Sequence, residues 1–272
     1  MRHTLYFSAF ALLLLTSCEE TIPLDIEQTP QKVVIEGMVS NLAGQQFVKV
    51  FRSVDFYAPT GSTPISNATV SVSDDMGKEF NFLESAEKGV YLPSATFVGE
   101  VGHTYHLTVI VDNVTYEADD RMFSVTKIDS VKYRISEEER QDPNEPGKFY
   151  EAIIFTKEPQ DTKDYYLFKF YRNDTLTVYS DTDIYYSDDT ILGESIDGLP
   201  SPVYYGKSDT ARFEMMSLSR EGYLFYNDLS FLINSDGGMF SPPPANPRTN
   251  LSNDALGFFQ VSAIDTVTLV IE

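Results

Sequence analysis

The stretch ATVSVSDDMGKEFNFLE, residues 68–84, contains two short runs of alternating apolar and polar residues separated by a turn sequence. Val70 and Val72 alternate with polar residues before the turn, and Phe80 and Phe82 alternate with polar residues after it. An Asp-Asp-Met-Gly turn between such runs is typical of a β-hairpin, in which every second side chain points to the same face. This stretch therefore predicts two antiparallel strands with one buried face.

The same pattern recurs on both sides of this hairpin. Residues 32–40, 46–52 and 103–112 alternate or run apolar over the length of a strand, and turn residues such as Gly44 and Gly89 separate the runs. Short strands at regular spacing with such turns are typical of an antiparallel sandwich. We therefore predict an N-terminal β-sandwich domain over residues 31–122.

The second half of the chain is also rich in β patterns, over residues 130–134, 150–156, 165–171, 176–180, 211–216, 257–263 and 266–271. One amphipathic helix is predicted at 219–233, because Ser219 can cap its N-terminus and Glu221 lies favourably in its first turn. The predicted fold class is all-β, with two β-sandwich-like domains. The second domain covers residues 123–272 and contains the single short helix.

Composition limits the classes of partner. The chain of 272 residues has 42% hydrophobic residues, which is ample for a packed core. Its formal net charge of −21 argues against nucleic acid as a ligand, because the phosphate backbone requires a basic surface. A single cysteine cannot form an internal disulfide bond, so the core has to hold the fold together.

The lone cysteine lies next to an apolar run at the start of the chain. Residues 5–15 are almost wholly apolar, about half the roughly 20 residues that a spanning helix needs, so residues 1–17 are predicted to be a signal peptide. Leu15-Thr16-Ser17-Cys18 resembles a bacterial lipobox, in which the cysteine is acylated and becomes the mature N-terminus. The resemblance implies lipidation of Cys18. An ordinary signal peptide with an incidental cysteine is the alternative.

Two acidic residues, Glu19 and Glu20, follow the cysteine directly. They resemble the signal that sends lipoproteins of Bacteroidota to the outer leaflet of the outer membrane, although a solvated linker often starts in the same way. Residues 18–30 are then a lipidated tether, with prolines near both ends that favour extended backbone. The expected location is the outer membrane, exposed on the cell surface, with its periplasmic face as the alternative.

Two family resemblances rest on longer stretches. Residues 64–111, with Gly89-x-Tyr91 and Gly102-x-x-Tyr105, resemble a transthyretin-like or carboxypeptidase-regulatory type of extracellular module, which implies a transthyretin- or immunoglobulin-like N-terminal domain. The stretch DGGMFSPPPANPRTNLSNDALGFFQVSA (236–263), with the lipobox and VVIEGMVS (33–40), resembles a Bacteroidota lipoprotein family, the domain of unknown function 4249. That resemblance implies an accessory role beside outer-membrane proteins such as TonB-dependent transporters. It assigns no reaction and no catalytic residue.

No motif in the sequence indicates catalysis or a cofactor. His103 and His106 are an odd number of residues apart in one predicted strand, so they are expected to point to opposite faces. Nucleophile-elbow, zinc-protease, phosphate-binding and dinucleotide-binding motifs are absent from the sequence. The acidic stretch SDTDIYYSDDT (180–190) lacks the spacing of an EF-hand loop, and a solvated hairpin loop is preferred to a calcium site. We predict no catalytic residues, metal or cofactor.

Five Asp-Ser/Thr-apolar triplets resemble the acceptor motif for O-glycosylation in Bacteroidota. The hydroxyl residues concerned are Ser130, Thr175, Thr190, Thr210 and Thr266. A polar Asp turn followed by a threonine and an apolar residue is also an ordinary way to begin a strand. One or two modified sites are expected, and five are not.

Three functional classes remain from the sequence. The first is a non-catalytic accessory lipoprotein that docks on an outer-membrane protein, with Arg248 and Asn250 of the proline-rich loop as candidate partner contacts. The second is a glycan- or nutrient-binding surface lipoprotein, to which exposed tyrosines such as Tyr185 and Tyr205 could contribute. A surface hydrolase is the third and least favoured class, since paired carboxylates cannot be recognised without a fold.

Overall fold

A computed structural model describes residues 30–54, 61–136, 147, 149–157, 159, 161–189, 195–235 and 245–272. The predicted signal peptide, Cys18, Glu19, Glu20 and nearly all of the predicted tether lie outside these residues. The elements in chain order are β1 (Val33–Ser40), β2 (Phe47–Arg52), β3 (Thr63–Pro64), β4 (Thr69–Asp74), β5 (Glu79–Glu84), β6 (Val90–Pro93), β7 (Thr104–Val111), β8 (Val114–Arg121), β9 (Ile128–Ile135), β10 (Tyr150–Lys157), β11 (Tyr165–Arg172), β12 (Thr175–Leu176), β13 (Tyr185–Asp188), β14 (Ser195–Tyr205), β15 (Thr210–Ser217), α1 (Arg220–Ile233), β16 (Leu256–Ser262) and β17 (Ile264–Val270).

The hairpin predicted from residues 68–84 is β4 and β5, with Val70 opposite Phe82 and Val72 opposite Phe80. It belongs to a nine-stranded sheet with the order β16-β1-β2-β6-β5-β4-β7-β8, in which β3 also pairs with β2. One face of this sheet carries the largest apolar core, because every second residue of its strands points inward. The short β6 and the long β8, which were not predicted from the sequence, complete the sheet.

The two ends of this sheet meet at β8 and β16. The Asp120 carboxylate in β8 accepts a hydrogen bond of 2.8 Å from the amide of Val261 in β16. Ser252, in the loop before β16, binds the backbone of Glu117 through its own amide and through its hydroxyl, each at 2.8 Å. The sheet therefore curls until its first and last strands lie side by side, and a strand from the end of the chain closes it.

The Gly257-Phe258-Phe259 sequence explains how β16 fits beside β1. Gly257 has a φ of +98°, and a Cβ atom there would lie 2.1 Å from the Ile35 carbonyl oxygen. Phe259 points into the core and is fully buried, whereas Phe258 points outward and stacks on Phe225 of the helix, with ring centroids 5.0 Å apart. Glycine is required here because any side chain would separate the two paired strands.

Two further sheets form the second half of the molecule. A three-stranded sheet has the order β14-β10-β9, and a five-stranded sheet contains β12, β11, β15 and β17 with β13 also paired to β11. They enclose a shared core to which Ile154 contributes from the first sheet and Phe168 and Phe213 from the second. This arrangement of two sheets with their side chains packed between them is sandwich-like.

The helix lies where it was predicted. Ser219 caps it by accepting a hydrogen bond of 3.1 Å from the amide of Gly222, and Glu221 lies in its first turn. Tyr223 packs against Tyr165 of β11 with ring centroids 4.9 Å apart, and the Tyr226 hydroxyl donates to Gln260 of β16 at 2.6 Å. The helix therefore joins the five-stranded sheet to the strand that closes the large sheet.

The prediction of an all-β fold is confirmed, and the predicted helix is α1, the one helix named among the elements of the described residues. A strand pairing crosses the predicted domain boundary after Met122, because β16 comes from the second half of the chain and pairs in parallel with β1 of the first half. Residues Gln31–Glu272 form one compact unit for this reason.

Candidate functional site

A charged cluster lies where the outer face of β1 and β2 meets the five-stranded sheet. Met38 of β1 packs with Leu167 of β11 and Met216 of β15, which closes one end of this junction with apolar side chains. Alternate residues of a strand share a face, so the residues two positions away from these three lie on the same faces. They are the charged residues Glu36, Lys169 and Glu214. The charged cluster consists of Glu36, Lys49, Lys169, Tyr171, Arg212 and Glu214.

Glu214 is the buried anion of the charged cluster, with a side chain only 4% exposed. It forms a salt bridge with Arg212, and its second oxygen accepts a hydrogen bond of 2.9 Å from the Tyr171 hydroxyl. The Arg212 guanidinium also stacks on the Tyr171 ring, 3.6 Å from its centroid. Burial, together with the nearby Glu214 carboxylate, raises the pKa of Tyr171 to about 12, so this hydroxyl stays protonated and acts as a donor.

Lys169 stands opposite Glu214 in the pairing of β11 with β15. Burial lowers the pKa of Lys169, and the attraction of Glu214 and Glu36 only partly opposes that effect. Within the described residues, no hydrogen bond and no ion pair reaches its ammonium group. Glu36 is instead paired with Lys49 at 3.0 Å. The charged cluster therefore contains a half-buried lysine, while Glu214 is bound by Arg212 and Tyr171 and Glu36 is bound by Lys49.

A groove opens beside the large sheet, where β2 and β6 separate. These two strands pair only through Val48 with Tyr91 and Lys49 with Val90. Beyond that pairing lies an open groove of about 660 Å³, lined by Ala43, Gly44, Gln46, Leu92, Pro93, Ser94, Ala95, Thr96 and Phe97. Gln46 fixes one wall by donating to the carbonyl oxygens of Ser40 and Leu42, each at 2.9 Å.

An exposed apolar pair borders this groove. Leu83 of β5 and Leu92 of β6 are direct cross-strand partners and are 62% and 43% exposed. Cross-strand neighbours lie about 5 Å apart, so the two side chains form one continuous apolar surface. This pair is therefore a candidate contact for a partner, because covering it would remove apolar surface from water.

Arg248 and Asn250 are both bound to the chain itself. Arg248 forms a two-pronged salt bridge with Asp228 of the helix, with N–O distances of 2.6 and 3.0 Å. Asn250 donates to the carbonyl oxygens of Asp119 and Phe259 at 3.0 and 2.8 Å, and it accepts from the amide of Phe259 at 3.0 Å. Asn250 thus joins β8 to β16 and has a structural role. Its role as a partner contact stays a prediction.

The predicted O-glycosylation sites differ in their exposure to solvent. Ser130, Thr175 and Thr266 are exposed, Thr210 is half-buried, and Thr190 lies outside the described residues. Thr175 and Thr210 are the first residues of β12 and β15, as expected if these triplets begin strands. Accessibility alone therefore favours Ser130, Thr175 and Thr266 as acceptors.

His103 and His106 contact different carboxylates and do not form a shared site. His103 contacts Asp75 at 2.6 Å, and this carboxylate raises the pKa of the histidine, whereas His106 contacts Asp119 at 2.8 Å on a neighbouring strand. In the part of the chain that the structure describes, no three His, Cys, Asp or Glu side chains lie close enough to hold a metal ion.

The acidic stretch and its tyrosines form a hairpin region around β13. Asp183 accepts hydrogen bonds from the Ser180 amide at 2.9 Å and from the Tyr185 hydroxyl at 3.0 Å. Tyr185 is half-buried, but Tyr205, which the sequence suggested as exposed, is fully buried in the second core. Tyr205 faces inward because it belongs to the long strand β14, whose alternation the sequence did not reveal.

Sequence reasoning missed both the charged cluster and the groove. Lys169 lies in the stretch YYLFKFYR, and a lysine between two phenylalanines was the available signal for a buried charge. Its neighbours come from β1, β2 and β15, which are far apart in the sequence. The leucines of the exposed pair are in strands whose pairing only the fold supplies.

Comparison with known proteins places the chain in a family without assigning it an activity. Among the described residues, no helix is long and apolar enough to cross a membrane. No curated protein matches the chain. A family model described as a domain of unknown function, DUF4249, matches residues 19–268, which is nearly the whole chain. The protein therefore belongs to the DUF4249 family.

Proposed function

We propose that the protein is a non-catalytic lipoprotein of the outer membrane that docks on a membrane protein such as a TonB-dependent transporter. The lipobox-like Leu15–Cys18 segment supports the anchor, and the family match begins at Glu19, directly after the cysteine. Glu19 and Glu20 support display on the cell surface. Several acyl chains, each contributing about 0.8 kcal/mol per buried methylene group, would hold the protein on the membrane.

The observation that carries the docking role is the exposed Leu83–Leu92 pair beside the groove. Exposed apolar side chains gain free energy when a partner covers them, roughly 25 cal/mol per Å² removed from water. The groove lies between two chain segments that diverge, a shape that suits an extended loop of the partner. Tethering to the same membrane raises the effective concentration of that partner, so a small surface is sufficient.

The test is crosslinking in intact outer membranes followed by purification in detergent. We expect the wild-type protein to be recovered with an outer-membrane protein, and the double variant Leu83→Thr/Leu92→Thr to lose it. Threonine keeps the strand preference while removing the apolar surface. Met76→Thr is the matched control, since Met76 is an exposed apolar residue in the turn between β4 and β5, away from the groove.

The thermal midpoint of each variant is measured alongside, so that unfolding is not mistaken for lost binding. Retention of the partner by the double variant would reject the groove as the docking surface. Recovery of the wild-type protein alone would reject docking itself and favour the glycan- or nutrient-binding role.

A further inference from the structure

The groove begins where the pairing of β2 with β6 stops. Val48 pairs with Tyr91, so the next two residues of the same ladder would be Gln46 and Pro93. Proline has no amide hydrogen, so Pro93 cannot donate to β2 and the ladder ends there. Two neighbouring main chains therefore diverge around a space of about 660 Å³.

Gln46 lines the groove and leaves one half of its side-chain amide unbound. Its Nε2 atom donates to the carbonyl oxygens of Ser40 and Leu42, each at 2.9 Å. Carbonyl oxygens only accept hydrogen bonds, so the orientation of the amide is fixed. The Oε1 atom is buried and has no donor among the described residues, and Gln46 as a whole is only 2% exposed. A buried acceptor without a donor is costly, and a ligand that supplies an N–H or O–H group would remove that cost.

The walls of the groove present main chain rather than large or charged side chains. None of the nine lining residues is charged, and five of them are small: Ala43, Gly44, Ser94, Ala95 and Thr96. Among the described residues, no hydrogen bond reaches the main-chain amide of Gln46 or Ala95. The aromatic ring of the lining, Phe97, is 3% exposed and stacks on Phe80 with centroids 3.8 Å apart. The lining therefore suits a polypeptide main chain better than a sugar ring, which needs an exposed aromatic face.

We infer that the groove binds an extended, uncharged segment of the partner by its main chain, and that an amide of this segment donates to Gln46 Oε1. The inference rests on the proposed docking role and names the chemistry of the bound segment. An extended strand presents amide hydrogens along both edges, so it can bond the exposed main chain of either wall. A segment without charged residues suits a lining that offers no opposite charge.

The test uses purified full-length protein and the synthetic peptide acetyl-Ala-Thr-Val-Ser-Ile-Thr-Ala-amide, whose β-branched residues favour extended backbone. Titration followed by NMR gives its dissociation constant. In a series of analogues, one amide at a time is replaced by an ester, which removes a single N–H group and keeps the shape of the peptide. At least one analogue should bind about tenfold more weakly, because it loses a hydrogen bond to a buried acceptor.

Three variants locate the site. Gln46→Met should bind this weakened analogue and the parent peptide equally well, because the acceptor is gone and the two changes are coupled. This comparison is independent of the Nε2 hydrogen bonds that the variant also loses. Ala95→Trp should fill the groove and weaken binding of the parent peptide about tenfold or more, with an unchanged thermal midpoint, since Ala95 is exposed. Ala86→Trp is the matched control, because Ala86 is exposed between β5 and β6 and does not line the groove.

The inference is overturned if the wild type shows no saturable binding of the peptide, or if Ala95→Trp binds it as well as the wild type does. An equal loss for the ester analogue in the wild type and in Gln46→Met would overturn the assignment of Gln46 Oε1. Maltohexaose is the comparison ligand, and binding of this sugar without binding of the peptide would overturn peptide recognition in favour of a glycan site.

Failure of this inference can be told apart from failure of the docking role. If Leu83→Thr/Leu92→Thr loses the membrane partner but the wild type does not bind the peptide, docking stands and main-chain recognition is rejected. If the peptide binds in the groove but no partner is recovered from membranes, docking is rejected and the groove remains a site for extended peptides.

Discussion

The carboxylate of Asp120 in β8 accepts a hydrogen bond from the amide of Val261 in β16, 141 residues later in the chain, at 2.8 Å. The side chain is almost completely buried at the point where the large sheet closes on itself. Burial raises the pKa of Asp120 to about 7, although hydrogen bonds from Val261, Ser219 and Arg121 favour the ionised form. The closure of the sheet is therefore linked to the protonation of one carboxyl group.

The raised pKa of Asp120 predicts that the free energy of unfolding falls as the pH rises. The folded protein holds the proton up to about pH 7, whereas the unfolded chain releases it near 3.8, so the folded state binds more protons between these values. The loss between pH 4 and pH 8 is roughly 4 kcal/mol of unfolding free energy from this group. Urea unfolding of the wild type and of Asp120→Asn at several pH values measures it, because the asparagine variant lacks this titration.

Asp129→Asn is the control, because Asp129 is exposed and leaves the closure of the sheet intact. The difference in stability between the wild type and Asp120→Asn should change with pH, and the difference for Asp129→Asn should change far less. Parallel pH profiles for the wild type and Asp120→Asn would contradict this account.

Gly257→Ala is expected to prevent the close pairing of β16 with β1. The new Cβ atom would lie 2.1 Å from the Ile35 carbonyl oxygen, a contact that no side-chain rotation can relieve. We expect a loss of about 3 kcal/mol or more in unfolding free energy. Gly44→Ala is the matched control, since Gly44 also has a positive φ but has no atom within 4 Å of the added Cβ, and it should cost roughly 1 kcal/mol.

Asn250→Ala is expected to destabilise the protein, whereas Arg248→Ala is expected to change its stability little. The asparagine makes three hydrogen bonds to backbone groups of Asp119 and Phe259, and its loss should cost roughly 2 kcal/mol. Arg248 pairs with Asp228 at the surface, where salt bridges contribute little. Chemical denaturation measures both effects, and equal losses for the two variants would disagree with this structural role of Asn250.

Cys18→Ala is expected to abolish acyl labelling and to release the protein from membranes or leave its signal peptide uncleaved. The reason is that the thiol is the predicted attachment point of the lipid, and a single cysteine leaves no substitute. Metabolic labelling with palmitate and membrane fractionation measure the effect. Normal labelling and membrane retention of the variant would reject the anchor.

Glu19→Ala/Glu20→Ala is expected to strand the lipoprotein on the periplasmic face, because these residues resemble the surface export signal. Protease added to intact cells should degrade the wild type and spare the double variant. Both proteins should remain in the membrane fraction, since Cys18 is unchanged. Full protection of the wild type would reject surface display without affecting the proposed anchor.

The strands with clear alternation were predictable from local residues alone. The β4–β5 hairpin and the helix capped by Ser219 depend on neighbours in the sequence, through side-chain alternation, turn residues and capping. β14 was missed because its central residues Gly198, Leu199 and Pro200 do not alternate, and its pairing with β10 contains register shifts. Tyr205 was consequently expected to be exposed and is buried.

The sequence by itself determined the all-β class, the helix and the family, because each depends on a local pattern or a short motif; the lipid anchor stays a prediction from the lipobox-like segment. Only the tertiary structure decided that β16 closes the first sheet and that Lys169 lies opposite Glu214. It also placed Leu83 beside Leu92 at the groove. The physical reason is that the energy of an unpaired charge or an exposed apolar surface depends on neighbours that are distant in the chain and that folding alone brings together.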